Sequence, residues 1–370
     1  MPANRADVIA LLGQLPGRHQ ILSGQHNREP SATPFGWDWN RAPASQLYAP
    51  WSQKVVDITG VRPAVWSADF LYSAPFTSGG WRQALTDQAI AQWRAGSLVS
   101  LTWHMCPPTA DPSCAWKPAG GSDRTAVNST LTDDQWQRIL TSGDPLNTAL
   151  LRRFDEAVPY LTQLRAAGVP VLFRPFHEIN DGWSWWGASI ASSSQQQVMW
   201  RAQLFRLLHD YYAGKGLENL IWVWAIKDIL VNQHQNPDSV VPIGRYGGSG
   251  DIYPGSAYVD VLGVDLWNNR QPPLDLYSEL HQLDVTKPMA LTEVAQHPKA
   301  DVLASQPLWA YSVVWAEYIN TDCSPITKGD GSSLCLGFDD PATGKVVSYN
   351  TNAGSKEFYY RSNTLRQGQF

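Results

Sequence analysis

Charged residues are scarce in this sequence, and long apolar runs are missing. Asp, Glu, Lys and Arg make up only 16% of the 370 residues, the net charge is −5, and basic residues form no cluster. No apolar stretch approaches the roughly 20 residues that a membrane-spanning helix requires. Nucleic acids and anionic membrane surfaces are therefore poor candidate partners.

Cysteine is also rare, and its four copies fall as two local pairs, Cys106 with Cys114 and Cys323 with Cys335. Neither pair has the CxxC spacing of a zinc site, no HExxH motif occurs, and the eight histidines show no ligand spacing. We therefore expect no metal and no cofactor. Two loop-closing disulfides are favoured, which would suit an oxidising compartment, with four unrelated thiols as the alternative.

The N-terminal segment, residues 1–17, has a short apolar stretch and an early acid, so it does not read as a secretory signal. Either the protein is cytoplasmic, or a signal has been removed. Because of the cysteine pairs we expect a secreted protein. No feature of the sequence indicates an oligomer, so we expect a monomer.

Tryptophan is abundant, at 18 residues, in a chain that is 43% hydrophobic and contains 26 Pro and 28 Gly. This composition is typical of a folded globular protein with many structured loops. Core packing accounts for some of the indoles. The excess also suits a groove in which sugar rings stack on aromatic side chains.

Short β-prone runs recur along the chain and alternate with segments of helical period. Eight such runs are recognised, at 19–24, 62–69, 97–104, 169–178, 219–225, 258–267, 287–293 and 308–315. Helices are predicted at 86–96, 148–168 and 194–216, each ending in a glycine that suits a helix C-terminus. The alternation predicts an α/β fold, a single-domain (β/α)8 TIM barrel whose core spans about 20–317.

Two long segments exceed what a minimal barrel needs. Residues 105–147 follow the third predicted strand, and the polar, Gly-rich residues 320–370 follow the eighth. Both are predicted to be loops that shape the rim of a groove. Within the single domain 1–370, residues 318–370 are expected to form a C-terminal extension packed on the barrel.

Polar and aromatic residues occur where the predicted strands end, which is where such barrels build their active sites. They are Asp69, His104, His177, Glu178, Trp267, Glu293 and Trp315. Hydrolysis of a glycosidic bond needs two carboxyl groups, one protonated and one ionised, and about 5–5.5 Å between them indicates retention of configuration. Glu178, set among aromatics, should have a raised pKa and suits the acid/base role, whereas Glu293 can stay ionised beside donors such as Arg174.

The segment RPFHEINDGWSWWG, residues 174–187, resembles the signature of glycoside hydrolase family 26, the β-mannanases and related endo-β-glycanases. Similar matches lie at 22–26, 66–70, 102–108, 253–267 and 291–293. The resemblance implies a barrel with catalytic glutamates on strands four and seven, Glu178 as acid/base and Glu293 as nucleophile. The family's histidine before the acid/base is His177.

The resemblance also implies the residues that line the sugar subsites. His104, Arg174 and Trp183 would lie beside the cleaved bond, and Trp315 would be the platform beneath the sugar. Asp181, Ser184 and Trp267 depart from the family pattern, since a glycine, a phenylalanine and a tyrosine are usual at those places.

The predicted function is retaining hydrolysis of a polysaccharide by an endo-β-glycanase, with β-1,4-mannan as the first substrate. β-1,3-Xylan and mixed-linkage β-glucan are the alternative substrates, and a non-catalytic sugar-binding barrel is the alternative class. Individual residues have simpler interpretations as well: Glu178 as a structural acid paired with Arg174, Asp69 as a satisfied polar residue at the rim, and Trp185 and Trp186 as packing. For Gln25 and His26, structural support and sugar contact are equally good interpretations.

Overall fold

The hydrophobic runs of the sequence form the strands of a closed barrel in a computed structural model. The structure describes residues 2–28, 50–71, 80–118, 120, 124–189, 193–228, 252–319, 337–340 and 345–370. The barrel strands are β1 (Ile21–His26), β2 (Val65–Asp69), β3 (Leu98–Trp103), β4 (Val171–Pro175), β5 (Leu220–Lys227), β6 (Val261–Leu266), β7 (Met289–Val294) and β8 (Trp309–Val314). Each corresponds to one of the eight predicted strands.

Every neighbouring pair of these strands is parallel, and β1 pairs with both β2 and β8, so the barrel closes. Nearly all strand residues are buried, because one face of each strand fills the barrel and the other packs against helices. The (β/α)8 fold predicted from the alternation is confirmed.

Four strands end before their predicted positions. β3 ends at Trp103 and β8 at Val314, so His104 and Trp315 lie one residue beyond them. β4 ends at Pro175 and β6 at Leu266, so His177, Glu178 and Trp267 lie in the loops just beyond. The physical reason in β4 is the backbone of Phe176, whose φ of +52° is left-handed and incompatible with an extended strand.

The helices surround the barrel, and several of them are followed by a glycine in the left-handed conformation. They are α1 (Arg5–Gln14), α2 (Pro50–Thr59), α3 (Trp81–Ala95), α4 (Asp133–Leu140), α5 (Pro145–Asp155), α6 (Val158–Ala166), α7 (Gln195–Gly214), α8 (Leu274–Leu283), α9 (Ala300–Ser305) and α10 (Asn352–Tyr360). Gly96 ends α3 with φ +103°, as its position in the sequence predicts. None of the described helices is both long and apolar enough to cross a membrane.

The single helix predicted at 148–168 is wrong, because α5 and α6 are separate. Pro159 lies in the first turn of α6. A proline at that place lacks an amide hydrogen, and its ring clashes with the carbonyl four residues earlier, so the helix breaks before it.

The segment after β3 is also more ordered than the predicted loop. It contains α4, whose N-terminus has a capping box in which Thr132 and Gln135 exchange side-chain and backbone hydrogen bonds. The indole of Trp136 is completely buried under this helix. The disulfide predicted between Cys106 and Cys114 is present. The other predicted pair, Cys323 and Cys335, lies outside the described residues.

The C-terminal segment contributes to the barrel sheet rather than forming only loops at the rim. A hairpin of β9 (Gly337–Asp340) and β10 (Lys345–Ser348) precedes α10, and β11 (Thr364–Leu365) pairs with the start of β1. The start of β1 is the end of the barrel opposite the predicted active site, so the expectation of a rim loop is wrong for this part. The predicted boundary at residue 318 stays a prediction.

Candidate active site

Glu178 and Glu293 lie at the carboxyl end of the barrel, Glu178 in the loop after β4 and Glu293 within β7. Both side chains are almost completely buried, with 5% and 3% exposed. Glu178 has a left-handed backbone, φ +52°, a strained conformation for a residue other than glycine. Its carbonyl accepts a hydrogen bond from the amide of Asp181 at 2.9 Å, which closes the turn. The strained turn aims the Glu178 carboxyl into the barrel mouth.

Arg174 connects the carboxylates at the floor of this mouth. Its guanidinium donates to Asp265 Oδ2 at 2.5 Å and to Glu293 Oε1. Burial opposes the charge of Arg174, but these two carboxylates raise the pKa of the guanidinium above its ordinary value. Thr292 donates to the second oxygen of Asp265 at 2.5 Å. The expectation that Arg174 holds Glu293 is confirmed, and the alternative in which it pairs with Glu178 is wrong.

The indole of Trp267 makes the second contact to Glu293. Its Nε1–H donates to Glu293 Oε2 at 3.2 Å, so both oxygens of this carboxylate accept a hydrogen bond. The backbone amide of Trp267 in turn donates to Asp228 at 2.9 Å. Although Trp267 departs from the expected tyrosine, its N–H contacts the same carboxylate.

The Glu178 carboxyl contacts an indole and an ammonium rather than a guanidinium. The Trp183 indole donates to its Oε2 at 2.5 Å, and the Lys227 ammonium is 3.3 Å from the same oxygen. Burial and the nearby charge of Glu293 raise the pKa of Glu178 to about 7, although Lys227 and the Trp183 hydrogen bond oppose the shift. Much of Glu178 is therefore protonated near neutral pH, as its aromatic surroundings predict.

Two histidines line the wall between β3 and β4. His104 Nδ1 donates to Asp69, and the rings of His104 and His177 meet edge to face with 4.5 Å between their centroids. Although burial opposes it, His104 lowers the pKa of Asp69 to about 2, so Asp69 is an ionised acceptor. Asp69 is thus the satisfied polar residue that was expected.

The tautomer of His177 follows from its hydrogen bonds. The Thr102 hydroxyl donates its single hydrogen to the carbonyl of Arg174 at 3.0 Å. It can therefore only accept from His177 Nδ1, which lies 3.2 Å away. Burial and the neighbouring His104 and Arg174 charges lower the pKa of His177, so the ring is neutral with its lone pair on Nε2.

Partly exposed indoles flank the glutamates on two sides. Trp116 and Trp183 lie 5.4 Å apart next to His104, and Trp267 meets Trp315 edge to face at 6.2 Å. Trp315 also stacks on the buried ring of His26, at 4.1 Å and nearly parallel. His26 therefore supports Trp315 from within the barrel, and the buried Gln25 side chain donates to the carbonyl of Ala316, the next residue, at 3.0 Å.

Trp185 and Trp186 are completely buried, and their N–H groups donate to the carbonyls of Met105 and His177, both at 2.8 Å. Both residues pack the wall of the site, as expected, and neither offers a face to a ligand. The loop that carries them returns so tightly on itself that a Cβ at position 187 would lie only 1.8 Å from the carbonyl oxygen of Asp181, which leaves room only for Gly187.

Three donor groups lie close enough to be considered as metal ligands. Atoms of His177, Asp265 and Glu293 lie within 4.8 Å of one another. The two carboxylates already pair with the Arg174 guanidinium, which supplies the positive charge that a metal would bring. This cluster is an ion-pair network, and we assign no metal to it.

Sequence reasoning missed four residues of the site: Asp228, Asp265, Lys227 and Trp116. The only signal for Asp265 was a lone acid in the hydrophobic run VLGVDL. The fifth strand was predicted to end at residue 225, whereas β5 continues to Lys227. Lys227 and Asp228 were therefore not recognised as lying at a strand end.

The family profile of glycosyl hydrolase family 26 matches residues 4–332. The chain belongs to glycosyl hydrolase family 26. A mannan endo-1,4-β-mannosidase of Thermothelomyces thermophilus is 32% identical to this family 26 chain over 288 residues. The match covers 75% of this chain, which spans only 52% of that relative's length. A mannan endo-1,4-β-mannosidase of Bacillus subtilis is 25% identical over 377 residues, 98% of this chain and 86% of the relative.

Solved structures of other proteins have the same architecture. The structure of GH26A from Muricauda sp. MAR_2010_75 superimposes with a TM-score of 0.73 at 27% identity, covering 99% of this chain and 97% of that one. A β-mannanase from a symbiotic protist of the termite Reticulitermes speratus, complexed with gluco-manno-oligosaccharide, gives a TM-score of 0.69 at 22% identity over 100% of this chain and 96% of that chain. At that identity the second likeness supports the fold alone.

Proposed function

We propose that this family 26 protein is a retaining endo-β-1,4-mannanase in which Glu178 is the acid/base and Glu293 the nucleophile. The observation that carries the proposal is the contrast between two buried carboxyl groups at one barrel mouth. Glu293 accepts from the Arg174 guanidinium, whereas burial raises the pKa of Glu178 to about 7. Such a divided pair is what acid-assisted nucleophilic displacement requires.

In the first step Glu178 gives its proton to the glycosidic oxygen while a Glu293 oxygen attacks the anomeric carbon. The bond to the leaving sugar breaks, and a glycosyl ester of Glu293 forms with inversion. Arg174 and Trp267 orient the attacking carboxylate through both its oxygens. Trp183 donates to the Glu178 carboxyl and fixes the direction of the acid.

In the second step water attacks the anomeric carbon from the side that the leaving sugar vacated. Glu178, now a carboxylate, takes the proton from water, and the ester bond to Glu293 breaks. Two inversions give net retention, and both glutamates return to their starting states. His177 stays neutral through the cycle, because burial disfavours its protonated form.

The choice of mannan rests on the relatives, since the two curated proteins compared above are named mannan endo-1,4-β-mannosidases. Internal cleavage is supported by indoles on both sides of the carboxyl pair, Trp116 and Trp183 on one and Trp267 and Trp315 on the other. A polysaccharide chain crossing the site would contact both. β-1,3-Xylan and mixed-linkage β-glucan remain the competing substrates. A non-catalytic barrel would not need one protonated and one ionised carboxyl group at its mouth.

The test is a panel of mannan, β-1,3-xylan, β-1,4-xylan and mixed-linkage β-glucan, with products separated by chromatography. We expect oligosaccharides of several lengths from mannan at early times, and loss of product with Glu178→Gln or Glu293→Gln. Glu218→Gln, at an exposed position before β5, is the matched control. Absence of product from every polysaccharide, or parental turnover in either site variant, would overturn the proposal.

We further propose that the protein is a secreted monomer. The Cys106–Cys114 disulfide supports an oxidising compartment. Cell fractionation of the source organism and light scattering of the purified protein test these two points. A protein found only inside cells with free thiols at both positions would contradict the first, and a stable dimer the second.

A further inference from the structure

Lys227 at the end of β5 lies between two carboxyl groups. Its Nζ is 2.8 Å from Asp181 Oδ2 and 3.3 Å from Glu178 Oε2. Only 20% of the Lys227 side chain and 25% of the Asp181 side chain are exposed. An ammonium shared between an acid/base and a second carboxylate, and largely shielded from solvent, affects the proton affinity of that acid strongly.

Backbone contacts fix this arrangement. The side chain of Asn180 donates to the carbonyl of Lys227 at 2.8 Å and accepts from its amide at 2.7 Å, which joins the β4 loop to β5. The Asp181 amide donates to the Glu178 carbonyl, and the close return of the loop at Gly187 holds the Asp181 backbone in place. The three charged groups therefore start from rigid positions.

We propose that Asp181 and Lys227 form a counter-ion pair that positions the acid/base, Glu178, and tunes the proton affinity of its carboxyl group. Lys227 supplies the positive charge that stabilises the Glu178 carboxylate after proton donation. Asp181 is the nearer partner of the ammonium. It partly neutralises that charge, so Glu178 still holds its proton before it donates to the substrate. The role of the pair in catalysis rests on the proposed function, whereas its effect on Glu178 does not.

The titratable groups of this part of the barrel mouth lie on five neighbouring strands or in the loops after them. They are Glu293 on β7, Asp265 on β6, Lys227 on β5, Arg174, His177 and Asp181 on β4 and its loop, and His104 after β3. Arg174 is already paired with two carboxylates, and His177 is neutral. Lys227 therefore acts as the main cationic partner of Glu178 among the described residues, and Asp181 acts against it.

This arrangement predicts opposite effects from neutralising the two partners. Lys227→Met removes the cation, so the pKa of Glu178 should rise by about one unit. Asp181→Asn removes a negative charge and releases the ammonium toward Glu178, so the pKa should fall by a similar amount. In the double variant the two shifts should largely cancel. A purely structural role would move the pKa in one direction or not at all.

The experiment is a ¹³C NMR titration of the glutamate carboxyl carbons in the full chain, with Glu178→Gln to assign the resonance. Lys215→Met, which breaks an exposed ion pair with Asp155, is the matched control and should leave the resonance unchanged. The basic limb of the kcat/KM profile should move in the same direction as each titration. If Lys227→Met does not fold, Asp181→Asn and Lys227→Gln provide the same comparison.

Shifts of the same sign in both variants, or no shift in either, would overturn the inference. The titration reads Glu178 directly and needs no turnover. Opposite shifts in a protein that cleaves no polysaccharide would therefore refute the proposed function and leave the effect of the pair on Glu178 in place. Active enzyme with unshifted titrations would refute the inference alone.

Discussion

Trp267 shows how a single donor can orient a buried carboxylate. Its indole N–H reaches one oxygen of Glu293 while Arg174 holds the other. The ring itself packs edge to face against Trp315 and Tyr318. One side chain thus contacts both Glu293, the proposed nucleophile, and the aromatic surface beside it, and the two contributions are separable by substitution.

Trp267→Phe keeps an aromatic ring and removes the donor. A hydrogen bond to a charged group contributes about 1.5–3 kcal/mol, so we expect kcat to fall roughly 10- to 100-fold. Steady-state kinetics on mannan would measure the loss. Trp309→Phe removes a donor to Gln306 at the start of β8 and serves as the control, which should lose stability but keep its kcat. Unchanged kcat in Trp267→Phe would show that the indole N–H does not matter to catalysis.

Residues at strand ends were predictable from the sequence where the proposed reaction accepts only one type of side chain. Glu178, Glu293 and the Arg174 contact were predicted because a carboxyl pair at one barrel mouth needs those residue types. Asp265 and Lys227 were not, because their importance depends on which neighbouring strand each faces. That register is set by packing across the barrel, which a linear pattern does not encode.

At the scale of elements, Asp228 organises the loop after β6. Its carboxylate accepts from the backbone amides of Trp267, Asn268 and Asn269 at 2.6–3.1 Å, and from the Asn269 side chain at 3.0 Å. Burial raises the pKa of Asp228, whereas these hydrogen bonds lower it. The end of β5 therefore determines where the β6 loop places the Trp267 indole.

Asp228→Ala should release that loop. Three partly buried backbone amides lose their acceptor, and we expect the free energy of unfolding to fall by about 2–4 kcal/mol with a further loss of kcat. Hydrogen exchange should show faster exchange at residues 267–269 than elsewhere in the barrel. Asp260→Ala, which loses contacts to Arg5 and the Trp222 amide at the opposite end of β6, is the control. Equal protection of residues 267–269 in both variants would contradict this account.

Elements were predicted well where hydrophobic runs were uninterrupted and poorly where short polar segments mattered. All eight barrel strands were found because their near-continuous apolar residues are typical of strands buried on both faces. α4 was missed because its sequence, DDQWQRIL, carries only three apolar residues and buries just Trp136 and Ile139. Its position depends on tertiary contacts of those two side chains rather than on local pattern.

At the scale of the whole molecule, the C-terminal segment links stability to pH through His297. Its ring stacks on Phe358 of α10 at 4.4 Å and meets Tyr359 edge to face. Burial and the charge of Arg361 lower the pKa of His297 to about 3. The ordinary value of about 6.5 returns on unfolding, so the unfolded chain binds more protons between these pH values.

The free energy of unfolding should therefore fall as the pH is lowered from about 6.5 toward 3. His297→Phe keeps the stack and removes the titration, so its stability should depend less on pH, by up to about 1.4 kcal/mol per pH unit. Urea denaturation at several pH values measures this, with exposed His19→Gln as the control. Parallel pH profiles for the parent and His297→Phe would contradict the assignment.

The central claim is the division of roles between Glu178 and Glu293, and chemical rescue tests it most directly. Each alanine variant would be incubated with azide and an aryl β-manno-oligosaccharide that carries a good leaving group. Glu293→Ala should give an α-glycosyl azide, because azide replaces the nucleophile in a single inversion. Glu178→Ala should give a β-glycosyl azide, because azide attacks the ester formed on Glu293. NMR of the two products showing the reverse assignment, or no azide adduct from either variant, would contradict it.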